Sequence, residues 1–115
     1  MAAVALNKFR TIRYSITSDL VGIYTCPIGV ASIVILSQVT NISSNVSSVT
    51  AVHSRPTESQ IDFKIANAVP IPPNDTYSLV ADGRLALETN DVIKIQGSDN
   101  GTLELVLSVL ETAKQ

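Results

Sequence analysis

The chain has 115 residues, of which 45% are hydrophobic and 16% charged, with a net charge of -2. One domain is expected, large enough to bury about two-thirds of its unfolded surface without a metal or disulfide. The charge balance gives no electrostatic case for nucleic acid or an anionic membrane as partner. The single Cys and single His exclude most metal sites and any disulfide framework within one chain, so no cofactor and no metal are expected.

The start, Met1 to Leu6, is apolar but short and has no basic residue before it, unlike a signal peptide. The longest apolar stretch, Pro27 to Leu36, contains Gly29 and Ser32 and falls far short of the ~20 residues that cross a bilayer. The reading is a soluble protein of a reducing compartment, with no membrane partner and with Cys26 as a packed free thiol. Residues 1–8 are read as an N-terminal arm and 9–115 as the single domain.

Along the chain the dominant period is two. From Phe9 to Thr17, Ile12, Tyr14 and Ile16 oppose Thr11, Arg13 and Ser15. Leu20 to Thr25 ends at Cys26-Pro27, where the proline stops a central strand. Ala31 to Thr40 is apolar on both faces from Ile33 to Leu36, which predicts cover on both sides, in the middle of the domain or at a subunit contact. Ser47 to His53 is β-rich. From Gln60 to Ile65, Ile61, Phe63 and Ile65 are expected inward and Asp62 and Lys64 outward. Thr76 to Ala81 is a short run. From Asp91 to Gln96, Ile93 and Ile95 alternate with Lys94 and Gln96. From Leu103 to Leu110, Leu103, Leu105, Leu107 and Val109 form a wholly apolar face, and Glu104, Val106, Ser108 and Leu110 a mixed one.

Gly, Pro, Asn, Asp and Ser separate these runs, notably at Pro27-Ile28-Gly29, Pro72-Pro73-Asn74, Asp82-Gly83 and Gly97 to Thr102. No window carries a helical stripe. The pattern predicts an all-β, antiparallel β-sandwich, jelly-roll or immunoglobulin-like, of about eight short strands. Ile, Leu and Val must fill its core, with the three Tyr and two Phe expected in or near it.

No candidate chemistry rises above a structural reading, and no catalytic residue is assigned. His53 is expected at a strand end before a loop, as a surface residue without a catalytic role. Glu88 with Asp91, and Asp99 with Glu104, read as turn carboxylates. Gly97 to Thr102 lacks the ligand count of a calcium loop. The acceptor patterns at Asn41, Asn45, Asn74 and Asn100 read as turn residues. Lys8, Arg10 and Arg13 suggest a solvated or subunit-facing strand. Low charge leaves sheet edges with few guards, which argues for assembly against a partner. The expected contact residues are Ala3, Val4, Leu6, Phe9 and Arg10, with His53 and Arg55 in a predicted loop.

Several segments, in order, carry a resemblance: Ile23-Tyr24-Thr25-x-Pro27-x-Gly29, Val39-Thr40-Asn41, Val69-Pro70, Pro73-Asn74, Asp82-Gly83-Arg84-Leu85-Ala86-Leu87-Glu88, Asp91-x-Ile93 and Leu103-x-Leu105-x-Leu107-Ser108-Val109-Leu110-Glu111. From Phe9 to Glu111 the chain resembles small virion structural proteins of tailed phages, particularly the T4-like cyanophage type. It departs from them at Cys26, where a small residue is commoner, and at Asn90, where Gly often precedes the Asp. The resemblance implies a non-enzymatic β-sandwich made in the host cytoplasm and carried in the virion. A capsid decoration (cement) protein on the head surface is the first expectation, bound to the major capsid protein, to other virion proteins or to its own copies as a homo-oligomer. The alternatives are a tail, neck or baseplate accessory or fibre adaptor. A carbohydrate-binding module is disfavoured by the shortage of aromatic platforms.

Overall fold

The computed structural model describes residues 7–80 and 84–113. Among these residues there are nine strands and no helix: β1 (Asn7–Ser15), β2 (Val21–Thr25), β3 (Val30–Asn41), β4 (Ser47–Ser54), β5 (Asp62–Ile71), β6 (Thr76–Ser78), β7 (Leu85–Leu87), β8 (Val92–Gly97) and β9 (Leu103–Ala113). β1 begins two residues ahead of the expected domain start. β7 is a strand that the alternation argument missed, because three residues are too few to display a period.

The strands form two antiparallel sheets, as expected. One has the order β1-β9-β3-β6, with β7 also on β3, and the other the order β2-β8-β4-β5. The pairings are nested: β1 with β9, β2 with β8, β3 with β6 and β7, β4 with β5. The chain therefore runs as one long antiparallel hairpin wound across two layers, a jelly roll.

The core lies between the layers. Leu103, Leu105, Leu107 and Val109 of β9 are buried, and so are Ile93 and Ile95 of β8 and Ile16 just after β1. Each apolar side chain removed from water contributes about 1.5–3 kcal/mol. At the β8–β9 turn Gly101 has φ 73°, a conformation available to glycine without a Cβ clash. Its N–H donates to the Ile16 carbonyl at 3.0 Å, so this turn also holds the end of β1.

Three expectations are corrected. β3 is not covered on both sides within the chain: Ile35 and Leu36 are each 40% exposed. The register to β9 shifts between Val34 and Leu36, so Ile35 is an extra residue that reverses the phase. Ser32 and Val34 are buried before the bulge, and Ser37, Val39 and Asn41 after it. Next, Ile61 and Phe63 are not inward core residues, since Phe63 is 55% exposed. They lie on or before the edge strand β5, across from short β6 and β7, which offer little to pack on. Last, the aromatics do not all sit in or near the core. Phe9 is 72% exposed on edge strand β1, whereas Tyr24 is buried and Tyr14 and Tyr77 are half-buried.

Candidate interaction surface

Two buried polar clusters come first, because they hold most of the residues with chemical potential. The turn Glu88 to Asp91 leads into β8, with Asn90 at φ 72°. Its backbone is tied to the end of β2: the Cys26 N–H donates to the Asp91 carbonyl at 2.8 Å, and the Asn90 N–H to the Cys26 carbonyl at 2.9 Å. This places the Asp91 carboxylate, fully buried, against the end of β4. Arg55 grips it with a fork, Nε to Oδ1 at 2.9 Å and Nη2 to Oδ2 at 2.8 Å. The Glu88 N–H donates to Oδ2 at 2.9 Å, and His53 Nε2 lies 2.9 Å from the same oxygen.

The Arg55 fork holds the Asp91 carboxyl well below the usual carboxylate range, against the opposing effect of burial. The same bond raises Arg55 above its ordinary value. Asp91 thus caps the turn amide of Glu88, as the sequence suggested, and is also a buried anchor for the end of β4. His53 and Arg55, expected as contact residues in a loop, have their polar atoms engaged within the chain, and His53 is part of β4.

The second cluster closes the gap between β1 and β2. Tyr24 Oη donates to Glu111 Oε2 at 2.5 Å and lies 2.7 Å from Ser32 Oγ. Cys26 Sγ sits 3.3 Å from Ser32 Oγ and 3.3 Å from the Val30 carbonyl. Cys26 is free and buried, as expected of a packed thiol. Arg10 Nη1 reaches Glu111 at 3.5 Å, and its guanidinium stands 6.0 Å from the centre of the Tyr24 ring. Burial, then the bond to Glu111, pushes the Tyr24 hydroxyl up to about 12. Among the described residues every buried side-chain N or O atom has a partner, and no group of three His, Cys, Asp or Glu is placed to hold a metal ion. Asn41 shows why an acceptor pattern here is structural: its buried amide donates to the carbonyls of Asn45 and Ile71, both at 2.8 Å.

With the polar groups satisfied inside, the outer faces carry whatever the molecule binds. On the β1-β9-β3 sheet the ladder sets Phe9 opposite Leu110, and Leu110 opposite Ile33. One row further on, Thr11, Ser108 and Leu36 align, with the bulged Ile35 beside them. The result is an apolar stripe across three strands. The outer face of the other sheet is polar. Lys64 and Lys94 flank Val52 in the ladder, and Lys94 pairs with Asp62 at 3.6 Å. Their stems leave Val52 only 1% exposed. A shallow hollow on this side is lined by Ser18, Ser48, Thr50, Ala68, Gln96, Gly97 and Ser98, with no aromatic ring.

Of the expected contact residues, Ala3, Val4 and Leu6 lie outside the described residues. Phe9 is on the apolar outer face. Arg10 is on the opposite face of β1, bound to Glu111. His53 and Arg55 belong to the other sheet's end. Sequence reasoning missed Leu110 and Ile33 as companions of Phe9. The signal was present in Leu110, an apolar residue on the mixed face of β9, and in the doubly apolar run of β3.

No protein-family model matches the chain, and no curated protein matches it. Among solved structures, it is similar to a chain from the disulfide-linked pili of Bacillus endospore appendages, with a TM-score of 0.59 and 10% identity over 100% of this chain and 98% of that one. It is also similar to a chain of the acid-stable capsid of Helicobacter pylori bacteriophage KHP30, with a TM-score of 0.55 and 9% identity over 96% of this chain and 90% of that one. At such identities the likeness is one of fold.

Proposed function

We propose that this chain is a non-enzymatic structural subunit of a phage virion, and in particular a capsid decoration protein that stabilises the head shell. The observation that carries this reading is the stripe Phe9–Leu110–Ile33, apolar and open on one outer face while every buried polar side chain is satisfied within the chain. A fold held in common with a phage capsid chain supports it, as does the resemblance in segments to tailed-phage virion proteins. Each copy binds the major capsid protein through this face, joined by residues 1–6. An interface of standard size buries ~1,600 Å² in total, and many copies on one shell add their contacts through avidity.

The fold held in common with a pilus chain favours a second reading, in which the copies line a tubular part such as a tail or neck. Incubating the purified chain with undecorated heads and with isolated tails, then pelleting the particles, separates the two. Heads should retain the wild-type chain and lose a Phe9→Ser/Leu36→Ser variant by tenfold or more, and loss of residues 1–6 should weaken binding further. Retention of the double variant at wild-type occupancy overturns the role of this face. Retention on tails alone selects the second reading.

A further inference from the structure

Among the described residues the sandwich has open edges at β1 and β2 on one side and at β5, β6 and β7 on the other. Most of them are guarded. β2 is five residues long and has an irregular register at Gly22/Tyr24. β5 is broken by two register shifts, has Ala68 at φ 48° and ends in Pro70-Ile71. β6 and β7 have three residues each. Bulges, prolines and shortness are the usual devices that stop a sheet edge from pairing with another chain. β1 has no bulge, proline or shortness, and its one guard is the charge of Lys8, Arg10 and Arg13. Its nine residues pair with β9 in an unbroken register from Asn7↔Thr112 to Ser15↔Glu104, without Pro, Gly or bulge.

We propose that β1 pairs with the β1 of a second copy, antiparallel and centred on Thr11, to join two sheets into one. The hydrogen-bond parity of the strand allows it. The Ile16 N–H donates to the Leu103 carbonyl at 2.9 Å. Backbone groups alternate in direction along a strand, so in the unbroken register the even-numbered residues of β1 turn to β9. Asn7, Phe9, Thr11, Arg13 and Ser15 turn their N–H and C=O groups to the open edge.

Side-chain charge excludes most registers, and of those left the one centred on Thr11 pairs all nine residues. β1 carries Lys8, Arg10 and Arg13 and no acid, so most self-pairings would bring like charges together, and this repels other cationic strands too. Centred on Thr11, each cation meets an uncharged partner. Phe9 faces Arg13 of the partner subunit, Lys8 faces the partner subunit's Tyr14, and Arg10 faces the partner subunit's Ile12. Two of these pairs set a cation against an aromatic ring, each occurring twice by symmetry. The pairing leaves the Phe9–Leu110–Ile33 stripes of both copies on the same outer side of the joined sheet, offset about 13 Å along the strand. The inference deepens the assembly reading and rests on it, since it names the surface and register through which copies meet.

Three variants of the full chain test it. Thr11→Pro removes an N–H that points to the open edge and none that bonds to β9, so the β circular-dichroism spectrum should be kept while sedimentation equilibrium shows the dimer reduced to monomer. In a hydrogen-bonded antiparallel pair facing Cα atoms lie about 5.5 Å apart, within the roughly 4.4–6.8 Å span of a disulfide. Thr11→Cys should therefore yield a covalent dimer under mild oxidation. Phe9→Cys should not, because its counterpart lies about 13 Å away along the strand. A wild-type chain that stays monomeric at every concentration, a dimer that survives Thr11→Pro, or equal cross-linking at positions 9 and 11 overturns the pairing. The assembly reading falls separately, only if the wild-type chain binds neither heads nor tails.

Discussion

The two outer faces of the sandwich end in opposite chemistry. Behind β8 and β4, Val52 turns outward and is shielded by Lys64 and Lys94. Behind β9 and β3, Leu110, Ile33, Ile35 and Leu36 turn outward with no ion pair over them. A sheet that packs on a core with one face and on water with the other needs strict alternation. The first sheet relaxes that rule where the second keeps it, and the relaxed side also bears β1, whose edge is guarded by charge alone. Surface asymmetry of this kind marks where a neighbour is expected.

The comparison is sharpened first by two substitutions on one strand. Leu107→Ala, on the buried side of β9, should cost about 2–5 kcal/mol in urea unfolding, with the loss growing with the cavity left behind. Leu110→Ser, three positions on and facing out, should cost about 0.5 kcal/mol while reducing binding to heads. Equal costs would mean that the stripe is already covered within the chain.

Asp91→Ala should be next in size, at about 3 kcal/mol, because it leaves the Arg55 guanidinium without its buried partner. Its pH signature has a definite sign. A carboxyl held below its unfolded value of about 3.9 contributes stability above that pH, and the contribution is lost as pH falls further. Acid titration of the urea midpoint should thus be steeper for wild type than for Asp91→Asn below about pH 4. Tyr24 carries the opposite sign. With its hydroxyl pushed up to about 12, the stability it lends is present below its unfolded value near 10 and is lost as pH rises towards the folded one. Tyr24→Phe should flatten the alkaline limb of the same titration between those two values. A small effect is expected from Lys94→Ala on the solvated face. Its pair with Asp62 is half-exposed and its stem covers one side of Val52, so the change should stay under about 1 kcal/mol and leave association untouched.

The layers and the core were legible where one strand face was uniformly apolar. Leu103, Leu105, Leu107 and Val109 needed nothing but period two to place β9. The legibility ended where tertiary context decides. The bulge at Ile35 is a pairing event between β3 and β9, and no local residue announces it. Phe63 alternates correctly but lies at an edge, and alternation says which side a residue faces, not whether anything stands opposite. β7 is too short to show a period. Most of the candidate site was hidden for a related reason. The Asp91–Arg55 fork joins positions 36 apart, and Thr-Asn-Asp before a strand looks the same whether its carboxylate caps a turn or anchors a buried guanidinium. Phe9 could be singled out as a contact residue, but its neighbours on the stripe come from strands about a hundred and a few dozen positions away, through pairings only the fold reveals.

The nested winding sets an order of events during synthesis. Asn7 stands beside Thr112, 105 positions later, so β1 has no strand beside it until β9 has been made. Non-local pairing of this sort slows folding and leaves apolar segments uncovered in the meantime. During that interval β1 has neither β9 on one side nor a second copy on the other. Its run of Lys8, Arg10 and Arg13 then acts as a temporary chaperone of its own edge, keeping nascent chains apart until the registers that tolerate those charges have formed.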